Sequence, residues 1–203
     1  INVIDQVNPV STGNATDFGD LIAARQYMGG MGNKIKGIYG GGDGASNVIQ
    51  NTANFASGGN CSDFGNLTNS RLGLTAVGND TRIIFAGGDS APTYYNTMDQ
   101  VNFATTGDAT DFGDLQAAES FCAGASSTTR GVITGGNAGG DAPAATGPEA
   151  TTHLITLATL GNATDFGEMV TAKNQNTACS NNVKGVVTNG QATLSNGSYE
   201  QFN

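Results

Sequence analysis

The sequence predicts an all-β protein built from four repeats. The tripeptide Asp-Phe-Gly occurs four times, beginning at Asp17, Asp63, Asp111 and Asp165. Residues 23 and 24 after each Phe are Gly41-Gly42, Gly87-Gly88, Gly135-Gly136 and Asn189-Gly190. The Phe residues lie 46, 48 and 54 residues apart, so every insertion follows the glycine pair. A constant interval of this kind marks one folded unit.

The period and the composition favour a β-propeller over a helical array. Repeats of roughly 40 to 50 residues with glycine pairs and short β-rich runs are typical of propeller blades. Helical arrays of that period need apolar residues at helical spacing, and such stripes are absent. With 31 Gly and 12% charged residues, the 203 residues suit one domain of about four four-stranded blades. The repeats lie at approximately 1–46, 47–95, 96–150 and 151–203.

Three strands can be placed in each repeat, and a fourth is weakly marked. β-Branched and aromatic runs that end at the glycine pair predict a buried strand at 37–39, 83–85, 131–133 and 185–187. The small residues before them predict an inner strand at 26–31, 73–77, 122–125 and 177–179. Alternating polar and apolar residues predict a strand with one wet face at 48–55, 98–103 and 153–157.

The third type of strand occurs five times, because residues 4–8 and 199–203 show the same alternation of polar and apolar residues at the same position of the repeat. Either one copy pairs with the blade at the far end of the chain and closes a ring, or the chain belongs to a longer array. No initiator Met or signal peptide precedes Ile1, which is expected of a processed chain or a fragment.

Charge and composition exclude several classes of partner. A net charge of −9 with eight Lys and Arg argues against binding to nucleic acid or to an anionic membrane surface, since both need a clustered basic surface. No apolar run approaches the roughly 20 residues that span a bilayer, so we expect no membrane insertion. Cys61, Cys122 and Cys179 are odd in number and out of repeat phase, which predicts small buried residues and not a disulfide or zinc set.

Most charged residues are tied to the repeat. A basic residue stands 18 positions after each Phe. We expect it to pair with a turn carbonyl or with a carboxylate of the phrase, by which we mean Asp-Phe-Gly and the residue that follows it. The first Asp of the phrase is expected to cap a turn. These basic residues are Lys36, Arg82, Arg130 and Lys184. A calcium site on the two acids of the phrase is the alternative, but Asn66 replaces the second acid in one repeat. The sequence therefore predicts no metal site and no cofactor.

The single histidine does not predict catalysis. His153 occupies the repeat position of Asp5, Asn51, Asp99 and Glu200, so we expect it on the wet face of a strand. No Ser/His/Asp set can be assembled around it, and no catalytic residue is predicted. The four Phe residues are expected in the core, each packed under the Leu or Met three residues later.

Two resemblances follow from these motifs. The glycine pair after a short hydrophobic strand, with an aromatic and then a basic residue later in the repeat, is similar to the kelch motif of β-propellers, although kelch repeats usually carry Trp at the Phe position. The sequence Gly-Asn-Ala-Thr-Asp-Phe-Gly-Asp-Leu at 13–21 has close variants at 107–115 and 161–169. It resembles repeats in tail-associated or capsid-associated proteins of tailed phages that infect marine cyanobacteria and related bacteria.

The resemblance implies a non-enzymatic virion protein on the particle surface. It would belong to a tail fibre, an appendage or the capsid exterior and would mediate host adhesion or virion assembly. The expected partners are other virion proteins, the host cell surface including its glycans, and further copies of the chain. The alternative is a carbohydrate-active propeller enzyme or a lectin-like module. The long loop at 137–150, with Asp141 and Glu149, is the predicted partner contact because it departs most from the other repeats.

Overall fold

The computed structural model describes residues 1–44, 47–52, 54–139, 147–188, 190–193 and 199–201. These residues form strands, turns and irregular segments without a helix, which confirms the predicted all-β class. Accordingly, no described segment is a helix with the length and hydropathy needed to cross a membrane.

The strands are short and follow one another closely along the chain. In chain order they are β1 (Val3–Gln6), β2 (Thr16–Asp20), β3 (Gly29–Gly32), β4 (Gly37–Gly40), β5 (Val48–Asn51), β6 (Ser62–Asn66), β7 (Thr75–Gly78), β8 (Arg82–Ala86), β9 (Asp89–Ser90), β10 (Thr93–Tyr94), β11 (Thr97–Asn102), β12 (Thr110–Asp114), β13 (Glu119–Ser120), β14 (Ala123–Ser126), β15 (Arg130–Thr134), β16 (Asn137–Ala138), β17 (Thr151–Thr156), β18 (Thr164–Glu168), β19 (Thr177–Ser180), β20 (Gly185–Thr188), β21 (Gln191–Thr193) and β22 (Tyr199–Gln201).

Twelve of these strands form three antiparallel four-stranded sheets. Sheet I has the order β3-β4-β5-β6, sheet II the order β7-β8-β11-β12, and sheet III the order β14-β15-β17-β18. Each sheet begins in the second half of one sequence repeat and ends at the Asp-Phe-Gly phrase of the next. The phrase, in which the sequence does not predict a strand, is therefore the fourth strand of every sheet.

A two-stranded sheet stands at each end of this series. By repeat phase, β1 and β2 correspond to the third and fourth strands of a sheet, whereas β19 and β20 correspond to the first and second. The first strands β3, β7, β14 and β19 are neighbours in that order, so the sheets stand side by side. The two-stranded ribbons β9-β10, β13-β16 and β21-β22 complete the described strands.

The turns between first and second strands are set by one side chain each. The Oδ1 atom of Asn33 accepts hydrogen bonds from the amides two and three residues later, at 2.8 and 3.0 Å. Asn79 and Asn181 do the same at the equivalent places, and the Ser127 hydroxyl does so before β15. Asn and Ser favour tight turns for this reason, so these residues determine where each sheet begins to fold back.

The Phe of the phrase is the extra residue of a β-bulge. In sheet I, Ile49 lies opposite Gly65 and Gln50 lies opposite Asp63, which leaves Phe64 without a partner. The same shift occurs at Phe18, Phe112 and Phe166. The phrase Asp stabilises the bulge, because its carboxylate accepts the amide of the Gly two residues later at 2.8 to 3.1 Å. This confirms that the Asp caps a local turn.

The core lies between successive sheets. Phe64 (1% exposed) packs with Leu74 and Phe85 between sheets I and II, and Phe112 (2% exposed) packs with Met98 and Ile133 between sheets II and III. Phe18 is also buried, at 9%. The predicted burial is wrong for Phe166, which is 57% exposed. Among the described residues, no four-stranded sheet follows sheet III to cover its ring.

The basic residues 18 positions after each Phe do not pair with phrase carboxylates. Arg82 donates from Nη1 to Oε1 of Gln100 at 3.1 Å, and the Lys36 ammonium lies 5.0 Å from the centre of the Phe64 ring. Arg130 and Lys184 are exposed. The expected pairing is wrong because the Asp carboxylates already accept hydrogen bonds from backbone amides of their own bulge. Lys36 and Arg82 instead contact uncharged groups.

All three cysteines are free, which confirms that they form no disulfide. Only Cys122 is buried, whereas Cys61 is half-buried and Cys179 is exposed. The predicted burial is wrong for Cys179 because its strand, β19, lies in the incomplete sheet at the end of the series.

Candidate functional site

Consecutive sheets are joined by a repeated backbone contact. The amides of Gly59 and Cys61 donate to the carbonyls of Phe18 and Asp20 at 2.8 and 2.7 Å, and Oδ1 of Asn60 accepts the amide of Asp20 at 3.0 Å. We call such a tripeptide, Gly followed by Asn or Asp and then by Cys or Ala, a clasp. The segment that it holds, Phe-Gly followed by Asp, Asn or Glu, is a phrase edge. The two together add a short antiparallel pairing between neighbouring sheets.

The same contact recurs between sheets I and II and between sheets II and III. Gly107 and Ala109 bond to the carbonyls of Phe64 and Asn66, both at 2.8 Å. Gly161 and Ala163 bond to the carbonyls of Phe112 and Asp114, also both at 2.8 Å. The approach is so close that a Cβ on Gly113 would lie 2.5 Å from the Gly161 carbonyl carbon. Glycine in the phrase therefore serves both the bulge, with φ of +140° at Gly113, and the clasp.

Each clasp combines one acidic side chain with one amide side chain. Oδ1 of Asn60 accepts the backbone amide of Asp20, and Oδ1 of Asn162 accepts the backbone amide of Asp114. In the remaining clasp the types are exchanged, and Asn66 donates from Nδ2 to Oδ1 of Asp108 at 3.1 Å. Two carboxylates at this distance would repel each other, so the exchange keeps the contact favourable.

One clasp and one phrase edge have no partner in the part of the chain that the structure describes. The phrase edge of sheet III, Phe166 to Glu168, has an exposed Phe, and a Cβ on Gly167 would meet no atom within 4 Å. The tripeptide Gly13-Asn14-Ala15 is exposed and lies between β1 and β2, where the occupied clasps lie between the third and fourth strands of their sheets. The molecule thus presents both halves of its own inter-sheet contact.

Inside the sheets, two ionisable pairs are fully buried. Arg71, in the connection between sheets I and II, places Nη2 3.0 Å from Oδ2 of Asp99 on β11, and both side chains are 0% exposed. Thr68 donates its hydroxyl and its amide to the same carboxylate at 2.8 and 3.2 Å. Burial lowers the pKa of the Arg71 guanidinium, while the charge of Asp99 acts in the opposite direction. The pair ties the connecting segment to the third strand.

His153 belongs to the equivalent pair in sheet III. Its Nε2 lies 3.1 Å from Oε2 of Glu119, and the two side chains are 0% and 1% exposed. The prediction that His153 lies on a wet strand face is therefore wrong. The Cys122 thiol donates to the same carboxylate at 3.6 Å, and its pKa is raised well above 9.0 by burial and by Glu119. A signal for this pair was present in the sequence. Arg71 and Asp99 in one repeat are replaced together by Glu119 and His153 at the same two positions of the next repeat.

An open groove runs across the first strands of the sheets. Its volume is about 800 Å³, and its lining includes Met31, Ala76, Gly124 and Ser180. Serine side chains bridge its strands, since the Ser180 hydroxyl donates to the Ser126 carbonyl at 2.7 Å and accepts the Ser126 amide at 2.9 Å. At its rim, Lys34 and Asp80 form a solvent-exposed ion pair with 3.5 Å between Nζ and Oδ2. Polar groups that bond to one another in this way position the strands.

Of the two predicted partner-contact residues, the structure describes Glu149, which lies next to sheet III. Asp141 lies outside the described residues. Glu149 is half-buried; its amide donates to the Gly136 carbonyl at 2.8 Å and its carbonyl accepts from the Lys173 amide at 3.1 Å. Its backbone therefore links the glycine pair of one repeat to the start of the next. A role for either side chain in binding remains a prediction.

No group of three or more His, Cys, Asp or Glu side chains within the described ranges is arranged to hold a metal ion. Comparison with protein-family models and with curated proteins found no match to this chain.

Proposed function

We propose that this chain is a non-enzymatic structural module of a phage virion. It would lie on the particle surface, in a tail fibre, an appendage or the capsid exterior, and act in assembly or host adhesion. The observation that carries the proposal is the repeated clasp, which converts each phrase into a connector between sheets. A chain organised around such connectors is suited to assembly, and the resemblance of the phrase to phage structural proteins gives the setting.

The placement of the ionisable side chains supports the absence of turnover. The single His is fully buried against Glu119, and Arg71 is fully buried against Asp99. The phrase carboxylates of Asp17, Asp63 and Asp111 accept amides of their own bulges. The two buried pairs are not accessible to a substrate, and the phrase carboxylates stabilise their own bulges.

We further propose that the sheets are blades of a kelch-like β-propeller. The support is their four-stranded antiparallel order, the series of neighbouring first strands and the cores between successive sheets. A fourth blade would combine β19 and β20 of one copy, as first and second strands, with β1 and β2 of a second copy, as third and fourth. Small-angle scattering of the purified chain separates a ring of blades from an extended row, because their maximum dimensions differ.

Immunogold labelling tests the virion location. Antibodies raised against the purified chain should label intact particles of the phage that encodes it, on the tail or the capsid exterior. Unlabelled particles, with the chain present only in lysates of infected cells, would contradict the proposal. Glycan cleavage by the purified chain would instead favour the carbohydrate-active alternative.

The contribution of the long loop can be tested by replacing residues 140–146, including Asp141, with a Gly/Ser linker of equal length. The replacement leaves the β13-β16 ribbon and Glu149 intact. If the loop contacts a partner, attachment of the chain to host cells or to particles should fall while its unfolding midpoint stays unchanged. Unchanged attachment would remove the loop from the proposal.

A further inference from the structure

We infer that copies of this chain associate head to tail, with the phrase edge of sheet III held by the clasp Gly13-Asn14-Ala15 of a second copy. The inference deepens the assembly role proposed above, but it depends only on the geometry of the chain. It can hold even if the chain is not part of a virion.

The two free surfaces match the occupied contact residue by residue. The free clasp has the same three residues as Gly161-Asn162-Ala163, which hold the phrase edge at Phe112. The free phrase edge keeps the Asp, Phe and Gly of the others, and the Asp165 carboxylate accepts the Gly167 amide at 2.8 Å as in the occupied edges. The bulge that presents the edge is therefore already formed.

Polar side chains are complementary at two places across the inferred contact. Glu168 would face Asn14, which again combines one acid with one amide. Lys173 stands at the repeat position of Arg71 and Glu119, and Asp5 stands at that of Asp99 and His153. A Lys173–Asp5 pair would thus place opposite charges where sheet II has Arg71 and Asp99.

The strand edges are complementary as well. In the complete sheets the second strand pairs with the third, as β8 does with β11. In the terminal sheets β20 pairs with β19 and β1 pairs with β2, so among the described strands the edges of β20 and β1 that face this junction are open. β22 shares the repeat phase of β1 but pairs with β21. Joining β20 of one copy to β1 of the next would complete a four-stranded sheet.

The exposed apolar side chains near the free phrase edge favour a protein partner that covers them. Phe166, Val170 and Val186 are all more than half exposed, whereas Phe64 and Phe112 at the occupied edges are buried. Within one molecule the two free surfaces make no contact in the described residues. Because the contact joins two different surfaces, it generates a row of copies or a closed ring of copies.

A complementation experiment tests the inference. Phe166→Asp disables the phrase edge and leaves the clasp intact. Ala15→Pro removes the amide that would donate to the Glu168 carbonyl and leaves the edge intact. The matched controls are Val183→Asp, which places the same charge on an exposed apolar residue of the β19-β20 turn, and Ala15→Ser, which keeps the amide.

In analytical ultracentrifugation, the unaltered chain and both controls should associate as concentration rises. Each disabled variant alone should stay monomeric, and an equimolar mixture of the two should form a 1:1 complex that grows no further. Circular dichroism verifies that both variants are folded. The inference is overturned if the unaltered chain stays monomeric at all concentrations, whether Phe166 is then exposed or covered by closure within one chain. It is also overturned if the two variants are folded but form no mixed complex.

A second set of variants does not depend on deleting a contact. Asn14→Asp would place two carboxylates together, and it should weaken association about tenfold, as like charges do when they face each other. Adding Glu168→Asn to the same chain restores one acid and one amide, in the arrangement of Asn66 with Asp108, and should restore association. Failure of the double variant to recover would count against the assigned orientation.

Discussion

Arg71 and Asp99 form an ion pair from which water is excluded, with 3.0 Å between Nη2 and Oδ2 and no exposed surface on either side chain. Buried pairs contribute little net stability when both partners are present, because the Coulomb attraction offsets a large desolvation cost. Loss of one partner is different, because it leaves an isolated charge in the core.

Asp99→Asn should therefore destabilise the fold by about 3 to 5 kcal/mol, since it removes the counter-charge of Arg71. Urea unfolding followed by circular dichroism measures the change. The matched control is Asp80→Asn at the exposed pair with Lys34, for which a loss of about 0 to 1 kcal/mol is expected. Equal losses at the two sites would contradict the burial of the Arg71 pair.

The exchanged clasp offers a charge-swap test within the folded chain. Asn66→Asp should lower the free energy of unfolding by about 0.5 to 1 kcal/mol, because it brings a second carboxylate next to Asp108. Adding Asp108→Asn should recover most of the loss. Thermal unfolding at low and high salt provides the check, since screening should shrink the effect of the single substitution.

Truncation of the phrase Phe should have very different effects along the chain. Phe64→Ala should cost about 3 to 5 kcal/mol, because it leaves a cavity between sheets I and II. Phe166→Ala should cost well under 1 kcal/mol in the monomer, because that ring is 57% exposed. The comparison is made by denaturant titration at a concentration where the chain is monomeric. A large loss at Phe166 would show that its ring is covered within one molecule.

The Cys122 thiol should make stability fall in alkaline solution. Burial and the neighbouring Glu119 raise its pKa well above the ordinary value of 9.0. Above pH 9 the unfolded chain therefore loses this proton while the folded chain keeps it, and stability declines by up to about 1.4 kcal/mol per pH unit until the folded pKa is reached. Urea titrations between pH 8 and pH 11 should show this slope, and Cys122→Ala should reduce it.

Thiol labelling gives an independent check on the same cysteine. Folded protein should react with a thiol reagent at the exposed Cys179 and remain unreactive at Cys122. Fast labelling of Cys122 without denaturant would contradict its burial.

The sequence predicts the strands of this fold better than the contacts between them. The buried runs predicted at 37–39, 83–85 and 131–133 are present as β4, β8 and β15. β-Branched and aromatic residues next to glycine favour a strand over other backbone conformations. The strand containing Phe64 was not predicted, since Asp and Gly are rare in strands and only the bulge makes them suitable.

The buried pairs could not be predicted from single positions. Asp99 and His153 both look like wet-face residues in a pattern of alternating polarity, and their burial comes from connections that cross the third strand of the next sheet. Likewise, Phe166 and Phe112 share the sequence Ala-Thr-Asp-Phe-Gly, and the exposure of Phe166 follows from what lies beyond sheet III. Local pattern specifies the element, whereas tertiary neighbours specify its environment.

The order of clasp and phrase along the chain has a genetic consequence. Each clasp precedes its phrase by only a few residues, as Gly107 precedes Phe112, so a single stretch of coding sequence carries both a receiving and a donating half. Unequal recombination between two such stretches would add or delete whole repeats while leaving every remaining junction with a matching partner. The near-identical wording at 13–21, 107–115 and 161–169 supplies the homology that such exchanges require. Genes of this type are therefore expected to differ in repeat number between close relatives more readily than in the sequence of the phrase itself.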